Sequence, residues 1–190
     1  MSAPAKRLAT YADLVALPED ARGEIIGGEL VVQPSPTPLH QSSLGELYAE
    51  LRNPFQRGRG GPGGWWLIQD VDVEFGTHDI CRPDITGWPK EHGPSFPAER
   101  PVRHRPDWIC EALSPSTALR DQGDKRDVYQ RAKVPWYWLL DPLNRTLTVL
   151  RLVADGYVVE RVAGDAGTAA LPPFEDVAID LSSLFPPSAA

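Results

Sequence analysis

Residues 107–114 have the sequence DWICEALS, a short apolar run that is interrupted by one acid, Glu111. In an extended strand Ile109, Glu111 and Leu113 point to the same side, so the acid lies between aliphatic neighbours. Burying a carboxylate in an apolar strand is costly unless a partner group compensates for its charge. The run therefore predicts a buried strand whose single acid serves a functional site.

A second acid, Asp84, interrupts the preceding apolar run in the same way. Residues 80–88 have the sequence ICRPDITGW, which predicts a strand next to the one that carries Glu111. Two carboxylates on adjacent strands can converge on one hard cation, because such cations take oxygen ligands. A bound cation can lower the pKa of water and neutralise charge on a phosphoryl oxygen. Asp84 and Glu111 are thus the candidate metal ligands.

A lysine follows Glu111 on the next predicted helix, at about residues 121–133. Asp121, Lys125 and Tyr129 are spaced i, i+4, i+8 and therefore share one stripe of that helix. If the helix packs beside the Glu111 strand, the ammonium group can reach the metal site, orient the attacking water and stabilise the transition state. The alternative is a solvated helix with ordinary i,i+4 charge pairs, and spacing alone favours that alternative.

The N-terminal half alternates helical and extended patterns. Thr10 can cap a short first helix, and Gly27-Gly28 lies between two β-prone runs, which predicts a tight hairpin. Apolar residues at helical spacing predict an amphipathic helix over residues 40–52. Residues 65–75, WWLIQDVDVEF, place Leu67, Val71, Val73 and Phe75 on one face and Asp70, Asp72 and Glu74 on the other. This alternation predicts one strand whose acids, including Asp72, lie on a solvated face.

The C-terminal half is richer in strands. Residues 134–141, VPWYWLLD, are apolar on both faces, as expected for a central strand. Residues 145–162 predict a hairpin around Ala154-Asp155-Gly156, and the tail at 178–185 predicts one closing turn. Turn and capping groups at 114–117 are expected to precede the helix that carries Lys125. This order of elements predicts the fold class α/β, a sandwich around a mixed sheet.

Length and composition suit one packed domain. Of 190 residues 42% are apolar, so we expect a single domain, 1–190, with its core at about residues 10–185. No apolar run approaches the roughly 20 residues that span a bilayer, and the first residues lack the apolar stretch of a secretory signal. A cytoplasmic location is therefore expected, and in that reducing compartment Cys81 and Cys110 are expected to be buried thiols.

The net charge argues against a nucleic-acid ligand. The chain has 19 basic and 26 acidic residues, a net charge of −7, whereas nucleic-acid binders usually carry a basic surface. Two local basic clusters can nevertheless face phosphate, with solvated loops as the equally favoured alternative. The clusters are Arg52, Arg57 and Arg59, and Arg100, Arg103, His104 and Arg105.

Six groups of residues form an ordered pattern along the chain. They are Glu24 with Gly28-Glu29-Leu30, Pro34-Ser35-Pro36 with His40, Arg82-Pro83-Asp84, the run Glu111-Ala112-Leu113-Ser114-Pro115-Ser116-Thr117, Asp121 with Asp124-Lys125 and Tyr129, and the run Trp136-Tyr137-Trp138-Leu139-Leu140-Asp141-Pro142. This pattern resembles the Uma-two family of restriction-type endonucleases, which belongs to the PD-(D/E)XK nuclease superfamily. The resemblance covers about residues 10–185, and the ordered set is specific although any single group is weak.

The resemblance implies a restriction-endonuclease-like αβββαβ core with a mixed sheet, extended here by an N-terminal and a C-terminal β-hairpin. By matching positions it implies Asp84 and Glu111 as metal ligands, the backbone carbonyl of Ala112 as a further ligand, and Lys125 as the catalytic lysine. It also implies that Glu24 assists catalysis. The implied cofactor is Mg²⁺ or Mn²⁺ and the implied partner is DNA. Restriction-type nucleases often act as homodimers, although nothing in the sequence identifies a dimer face.

This chain departs from the parent superfamily in the position of the lysine. In the superfamily the lysine follows the glutamate by two residues, but in this chain Leu113 occupies that position. The Uma-type pattern moves the lysine to the following helix, which fits Lys125.

Glu24 is expected to be an added ligand or a water-orienting group, and its alternative is a charge at a hairpin edge. His40 also matches the family pattern, and it is expected to serve either as a helix cap or as a base. Asp107 follows a proline too, but it begins the Glu111 strand and is not expected to bind metal.

Three functions remain open at this point. The leading hypothesis is metal-dependent hydrolysis of DNA phosphodiester bonds. The second, which the acidic net charge favours, is a catalytically inactive module of the same fold that binds nucleic acid or a partner protein. The third is a hydrolase that acts on a small phosphorylated molecule. Binding of Mn²⁺ at the acids separates the first two, and turnover of a small phosphodiester without DNA binding would favour the third.

Overall fold

The computed structural model describes residues 7–115 and 118–186, in which the main elements are four α-helices and twelve strands, with a short π-helical segment at Arg52–Gln56 after the second helix. The helices are α1 (Tyr11–Val15), α2 (Pro38–Leu51), α3 (Ala118–Gln122) and α4 (Asp124–Arg131). The strands are β1 (Arg22–Ile26), β2 (Glu29–Gln33), β3 (Trp65–Gln69), β4 (Val73–Gly76), β5 (Asp79–Cys81), β6 (Ile85–Pro89), β7 (Trp108–Ala112), β8 (Trp136–Asp141), β9 (Thr146–Val153), β10 (Gly156–Ala163), β11 (Thr168–Leu171) and β12 (Phe174–Asp180).

A six-stranded mixed sheet forms the centre of the protein. Its order is β10-β9-β8-β7-β6-β3, in which β7 and β8 are parallel and all other neighbours are antiparallel. In chain order α2, β3, β6, β7, α4 and β8 give the αβββαβ core that the resemblance implied. The predicted fold class is therefore confirmed.

Helices cover both faces of this sheet. Leu47 and Leu51 of α2 pack in one core cluster with Trp108 of β7, whereas Tyr129 of α4 packs in another with Ile109. Successive residues of a strand point to opposite faces. Glu111 is two residues from Ile109, so it lies on the α4 side of the sheet. This alternation brings the acid of the central strand to the helix that carries the lysine.

A second sheet stands beside the first, with the order β2-β1-β5-β4. Its β1–β2 hairpin turns at Gly27 and Gly28, whose φ angles of 57° and 78° suit the tight turn that the sequence predicted. Helix α1 packs on this sheet through Leu14, which shares a core cluster with Ile25 and Ile80. The hairpin matters for the site because β1 contacts α4.

The single strand predicted for residues 65–75 is wrong. The segment forms β3 in the central sheet and β4 in the second sheet, and the chain changes direction at Asp70, which has a φ of 57°. Aspartate tolerates this left-handed conformation better than most residues. Asp72 is 3% exposed rather than solvated, because Arg82 and Arg100 form ion pairs with it.

The C-terminal tail forms more structure than the one closing turn that was expected. Strands β11 and β12 form a hairpin, and a short 3₁₀ helix follows at Leu181–Ser183. Phe174 explains why the hairpin docks, since its ring lies 5.0 Å from the Trp108 ring and 5.6 Å from the Trp138 ring, centroid to centroid. The hairpin thereby closes the α2 side of the core.

Smaller expectations concern the helix that carries Lys125, the two cysteines, the capping groups before that helix and membrane-spanning segments. The helix predicted at 121–133 is divided at Gly123 into α3 and α4. Cys81 and Cys110 are free and buried, as predicted, and burial raises the pKa of both thiols. Of the capping groups expected before α3, Ser116 and Thr117 lie outside the described residues. Within the described ranges no helix is both long enough and apolar enough to cross a membrane.

Candidate active site

Three carboxylates from distant parts of the chain surround one buried ammonium group. Nζ of Lys125 lies 2.5 Å from Oε1 of Glu111, 3.0 Å from Oε1 of Glu24 and 3.6 Å from Oδ1 of Asp121. All four side chains are at most 4% exposed. Buried charges are tolerated only when they are paired, so this cluster is the strongest candidate for a functional site in the described residues.

The helical stripe predicted for Asp121, Lys125 and Tyr129 faces this cluster. The break at Gly123 does not remove Asp121 from it, since the Asp121–Lys125 ion pair spans the break. The hydroxyl group of Tyr129 donates to Oε1 of Glu111 at 2.6 Å. The solvated-helix alternative for this stripe is therefore wrong.

Glu24 enters the cluster from β1, and protein groups occupy both of its carboxylate oxygens. Oε1 accepts a hydrogen bond from the backbone N–H of Arg82 at 2.7 Å in addition to its contact with Lys125. Oε2 accepts a hydrogen bond from the side chain of Gln33. Glu24 is 0% exposed, so the alternative of a charge at a hairpin edge is wrong.

Asp84 lies at the start of β6, next to Glu111. Strands β6 and β7 pair with Ile85 opposite Cys110, and Oδ2 of Asp84 accepts a hydrogen bond from the backbone N–H of Ala112 at 2.8 Å. This bond fixes one carboxylate oxygen beside the strand that carries Glu111. The Asp84 side chain is 15% exposed, more than the acids around Lys125.

His40 contacts the same aspartate from the start of α2. Its Nε2 lies 3.4 Å from Oδ1 of Asp84, and Nδ1 is buried without a hydrogen-bond partner among the described residues. The expected capping role is wrong for its side chain, because Thr37 is the cap and accepts from the backbone N–H of His40. The imidazole is therefore available to the site.

The cluster carries more negative than positive charge. Burial raises the pKa of Glu111, and the charges of Asp121, Asp84 and Glu24 raise it further, while Lys125 opposes them. Burial alone would lower the pKa of Lys125, but the three carboxylates raise it well above its usual value and keep the ammonium group charged. One ammonium group is thus surrounded by three carboxylates, with Asp84 beside them, and a cation would relieve the excess of negative charge that their ionisation creates.

The acids open into a cleft of about 590 Å³ that is open to solvent. Asp84, Glu111, Asp121 and Lys125 line it together with His40, whereas Glu24 lies behind Lys125. The further lining residues are Arg22, Gly23, Gln33, Pro34, Ser35, Pro36, Thr37, Arg82, Ala112 and Ser114. The cleft thus contains most of the residues that the sequence singled out for chemistry.

The arginines of the cleft wall and of the second sequence cluster are paired with acids. Arg22 pairs with Asp70, and Arg82 with Asp72. In the second sequence cluster Arg100, Arg103 and Arg105 pair with Asp72, Glu74 and Asp107 respectively. In the first cluster Arg52 lies over the Tyr48 ring and Arg57 contacts Asn53. The structure therefore favours internal pairing over phosphate binding for the second cluster.

Sequence analysis missed two groups that hold the acids in place. Tyr129 was placed on the right stripe but was given no role, and Gln33 was not considered. A polar residue at the end of β2 carries no sequence signal of its own, because its importance depends on the pairing of β2 with β1. Asp107 pairs with Arg105 just before β7 and does not line the cleft.

The described residues contain no group of three or more His, Cys, Asp or Glu side chains arranged to hold a metal ion. A ligand set here must therefore use fewer side chains. Mg²⁺ is commonly bound by one or two carboxylates, with waters and backbone oxygens completing its shell. The Asp84 and Glu111 carboxylates with the Ala112 carbonyl agree with that pattern in number and in type of donor.

Comparison with known proteins agrees with the fold and the resemblance. A family model, Uma2, described as "Putative restriction endonuclease", matches residues 8–182. A crystal structure from Anabaena variabilis ATCC 29413, described as a "putative nuclease belonging to DUF820", has a TM-score of 0.72 to this chain. The two are 20% identical, and the similarity covers 93% of this chain and 97% of that one. No match is found among the curated proteins.

Proposed function

The chain belongs to the Uma2 family of restriction-type nucleases, and from this premise we propose that it is a metal-dependent endonuclease that hydrolyses DNA phosphodiester bonds. Asp84 and Glu111 hold a divalent cation, Mg²⁺ or Mn²⁺, together with the Ala112 carbonyl. Lys125 and Glu24 complete the catalytic set. The solved structure with a TM-score of 0.72 supports the architecture on which this proposal rests.

The donors present suit a hard divalent cation. Both proposed side-chain ligands are carboxylates that line one cleft, and the acids outnumber the ammonium group. When bound, such a cation supplies activation of water and neutralises charge on the phosphoryl oxygens. Oxygen donors and excess negative charge are what a hard cation requires, so the residues fit the group.

The chain's own residues position the reactants. The Ala112 N–H orients Asp84, and Tyr129 holds Glu111 through Oε1. Lys125 places a fixed positive charge at the wall of the cleft, where it can offset charge that develops on the phosphate in the transition state. Glu24 and Asp121 keep that ammonium group in place.

One observation carries this proposal. Lys125 contacts Glu111 at 2.5 Å inside a cleft that Asp84 also lines, although the three residues come from different elements. A buried ammonium group between carboxylates is expensive to maintain by structure alone. A catalytic role would explain why the protein keeps this charged group buried.

The experiment is cleavage of plasmid DNA by the purified protein with Mg²⁺ or Mn²⁺. We expect nicking or cutting that chelation stops and that Asp84→Ala abolishes. Asp107→Ala is the matched control, because Asp107 also follows a proline but pairs with Arg105 away from the cleft. Metal-dependent cleavage that survives in Asp84→Ala, after controls for contaminating nucleases, would rule out the assignment.

The second candidate is an inactive module of the same fold that binds nucleic acid or a partner protein. The close Lys125–Glu111 ion pair favours it, since an acid that is satisfied internally has less need of a metal. Calorimetric titration with Mn²⁺ separates the two, with Asp84→Ala and Asp107→Ala as the paired variants. If the wild type and Asp107→Ala bind Mn²⁺ and Asp84→Ala does not, the result supports the nuclease. If the wild type does not bind Mn²⁺, the result supports the inactive module.

A further inference from the structure

Strand β10 forms one edge of the six-stranded sheet. In the described residues β9 is its one neighbour in that sheet. Residues 158–162, with the sequence VVERV, are all exposed, so neither face of the strand is covered along this stretch. Val159 and Val162 are 61% and 59% exposed. Apolar side chains on an open strand edge form a template for pairing with another chain.

The two ends of β10 are buried, and the exposed stretch between them belongs to a paired strand rather than to a loop. Tyr157 shares a core cluster with Tyr129 of α4, and Arg126 donates to the Tyr157 carbonyl oxygen at 2.9 Å. Ala163 is buried at the other end. Residues on both sides of position 160 pair with β9. The edge is therefore held in a defined shape.

A β-bulge at Glu160 changes which residues of β10 share a face. Val159 lies opposite Leu150, whereas Arg161 lies opposite Val149, so Glu160 is an extra residue in the strand. In a regular strand successive residues alternate between the two faces. The extra residue shifts this alternation by one position for everything that follows it.

The pairing with β9 shows which face each exposed residue occupies. Leu150 packs in the core cluster on the α4 side, so Val159, which lies opposite it, also faces that side. Val149 packs in the cluster on the α2 side, so Arg161 faces the α2 side. Val162 follows Arg161 and returns to the α4 side. The two exposed valines thus share one face.

Glu160 lies on the same face as Arg161. Its Oε2 accepts a hydrogen bond from Nε of Arg151 at 2.7 Å. Arg151 lies one position beyond an α4-side residue of β9, and it therefore points to the α2 side. The bulge consequently gives β10 a face with Val159 and Val162 and an opposite face with Glu160 and Arg161.

This arrangement is complementary to itself. Two copies of β10 can meet antiparallel about a two-fold axis between residues 160 and 161. Val159 then lies opposite Val162 of the partner subunit, and Glu160 lies opposite Arg161 of the partner subunit. Opposite residues of an antiparallel pair must share a face, and both pairs meet that condition because of the bulge. An axis through residue 160 or 161 would instead place like charges opposite each other.

We propose that residues 158–162 of β10 form a self-association surface that joins two copies of this chain through their β10 edges. A two-fold contact uses the same surface on both copies, and the order of the charges suits a second copy of this strand. The contact is much shorter than a standard interface of about 1600 Å², so we expect a dissociation constant on the order of 10–100 µM. The inference does not rest on the proposed function.

The test is sedimentation equilibrium of the full-length protein at low salt, without DNA or metal, from about 5 to 500 µM, a range that brackets the expected constant. We expect a reversible change from monomer to dimer. A monomer at every concentration overturns the inference, and it is the result expected if the bulge and the charges only protect the edge from pairing. Association that continues beyond the dimer also overturns it, since a two-fold contact closes.

Glu160→Arg and Arg161→Glu test the register. Each substitution places like charges opposite each other in the self-pair, so each variant alone should associate about tenfold more weakly or worse. An equimolar mixture of the two variants should associate like the wild type, because two basic residues then face two acidic ones. A folding defect cannot produce recovery on mixing. A mixture that stays monomeric, or single variants that associate like the wild type, would overturn the inference.

Val162→Lys tests the apolar face of the same edge. The added ammonium group would lie against Val159 of the partner subunit, so dimerisation should weaken about tenfold. Val32→Lys is the matched control, because Val32 is 56% exposed on β2, an edge strand of the second sheet, and the change in net charge is the same. We expect Val32→Lys to dimerise like the wild type. Equal effects of the two variants would overturn the assignment to β10.

Discussion

The hydroxyl group of Tyr129 donates a hydrogen bond to Oε1 of Glu111 at 2.6 Å. Lys125 contacts the same oxygen at 2.5 Å, so two donors from one helix hold one oxygen of the carboxylate. Within the described residues both of these contacts of Glu111 are made by Oε1, and Glu111 lines the cleft. Its second oxygen is thus the one available to a ligand.

Tyr129→Phe removes one of these donors without changing the shape of the core. We expect the free energy of unfolding to fall by about 1–3 kcal/mol, because a buried carboxylate loses a hydrogen bond. The affinity for Mn²⁺ should fall about tenfold, since partners that orient a metal ligand typically contribute that much. Urea denaturation and calorimetric titration measure the two quantities.

Tyr157→Phe is the control for Tyr129→Phe. The Tyr157 hydroxyl also donates a buried hydrogen bond, at 2.7 Å, but its acceptor is the backbone carbonyl of Val134. We expect a similar loss of stability with unchanged Mn²⁺ affinity. Equal effects of the two variants on Mn²⁺ binding would contradict the role given to Tyr129.

Much of this site could be predicted from local patterns. The lone acid in the apolar strand, the i, i+4, i+8 stripe and the Gly27-Gly28 turn each depend on residues that are close in sequence. By contrast, the role of Gln33 depends on the pairing of β2 with β1, and the burial of Asp72 depends on how the two sheets meet. The alternation of polar and apolar residues that follows Gln69 is the same whether residues 65–75 form one strand or two, and no local signal shows that Asp70 ends the first.

Lys125→Met leaves Glu24, Glu111 and Asp121 without their shared cation. Breaking a buried ion pair in this way should lower the free energy of unfolding by about 3–5 kcal/mol. Cleavage of DNA should be lost, because no fixed positive charge remains at the wall of the cleft. Thermal unfolding with and without Mn²⁺ should show that the variant gains more stability from the ion than the wild type does, since the ion replaces the missing charge.

Arg131→Met on the same helix is the control for Lys125→Met. Arg131 pairs with Asp79 at the surface, and such exposed pairs contribute only about 0–1 kcal/mol. We expect little change in stability and none in the response to Mn²⁺. If Mn²⁺ raises the thermal stability of Lys125→Met no more than that of the wild type, the lysine and the metal do not share a site.

Asp72→Asn should change how stability depends on pH. Burial alone would raise the pKa of Asp72, but hydrogen bonds and charges from Arg82 and Arg100 outweigh it and hold the pKa below its usual value. Folding therefore favours the ionised form, and this contribution is present above the unfolded pKa of about 3.9 and lost as pH falls through the folded value. The variant should be less stable than the wild type by about 1–3 kcal/mol near neutral pH.

Urea denaturation from pH 7 to pH 3 measures this difference. The gap between wild type and Asp72→Asn should narrow below about pH 4, as the wild-type carboxylate is protonated. Glu160→Gln is the control, since Glu160 pairs with Arg151 at the surface and should contribute little at any pH. A gap of constant size down to pH 3 would mean that the carboxylate charge does not stabilise the fold.

Glu24→Gln distinguishes a metal ligand from a residue that positions Lys125. Both oxygens of Glu24 already accept hydrogen bonds or contacts from protein groups, and the side chain is fully buried behind the lysine. An amide in its place keeps the shape but removes the charge that holds the ammonium group. We therefore expect cleavage to fall about tenfold to hundredfold while Mn²⁺ affinity stays close to that of the wild type.

Glu111→Gln and Glu46→Gln complete the comparison with Glu24→Gln. Glu111→Gln should weaken Mn²⁺ binding more than about tenfold, because it removes the charge of a proposed ligand. Glu46 is exposed on α2, and its substitution should change neither the cleavage of DNA nor the affinity for Mn²⁺. Loss of Mn²⁺ binding in Glu24→Gln as large as that in Glu111→Gln would make Glu24 a ligand. It would also require the Lys125–Glu24 contact to open when the metal binds, because one oxygen cannot serve both partners without moving.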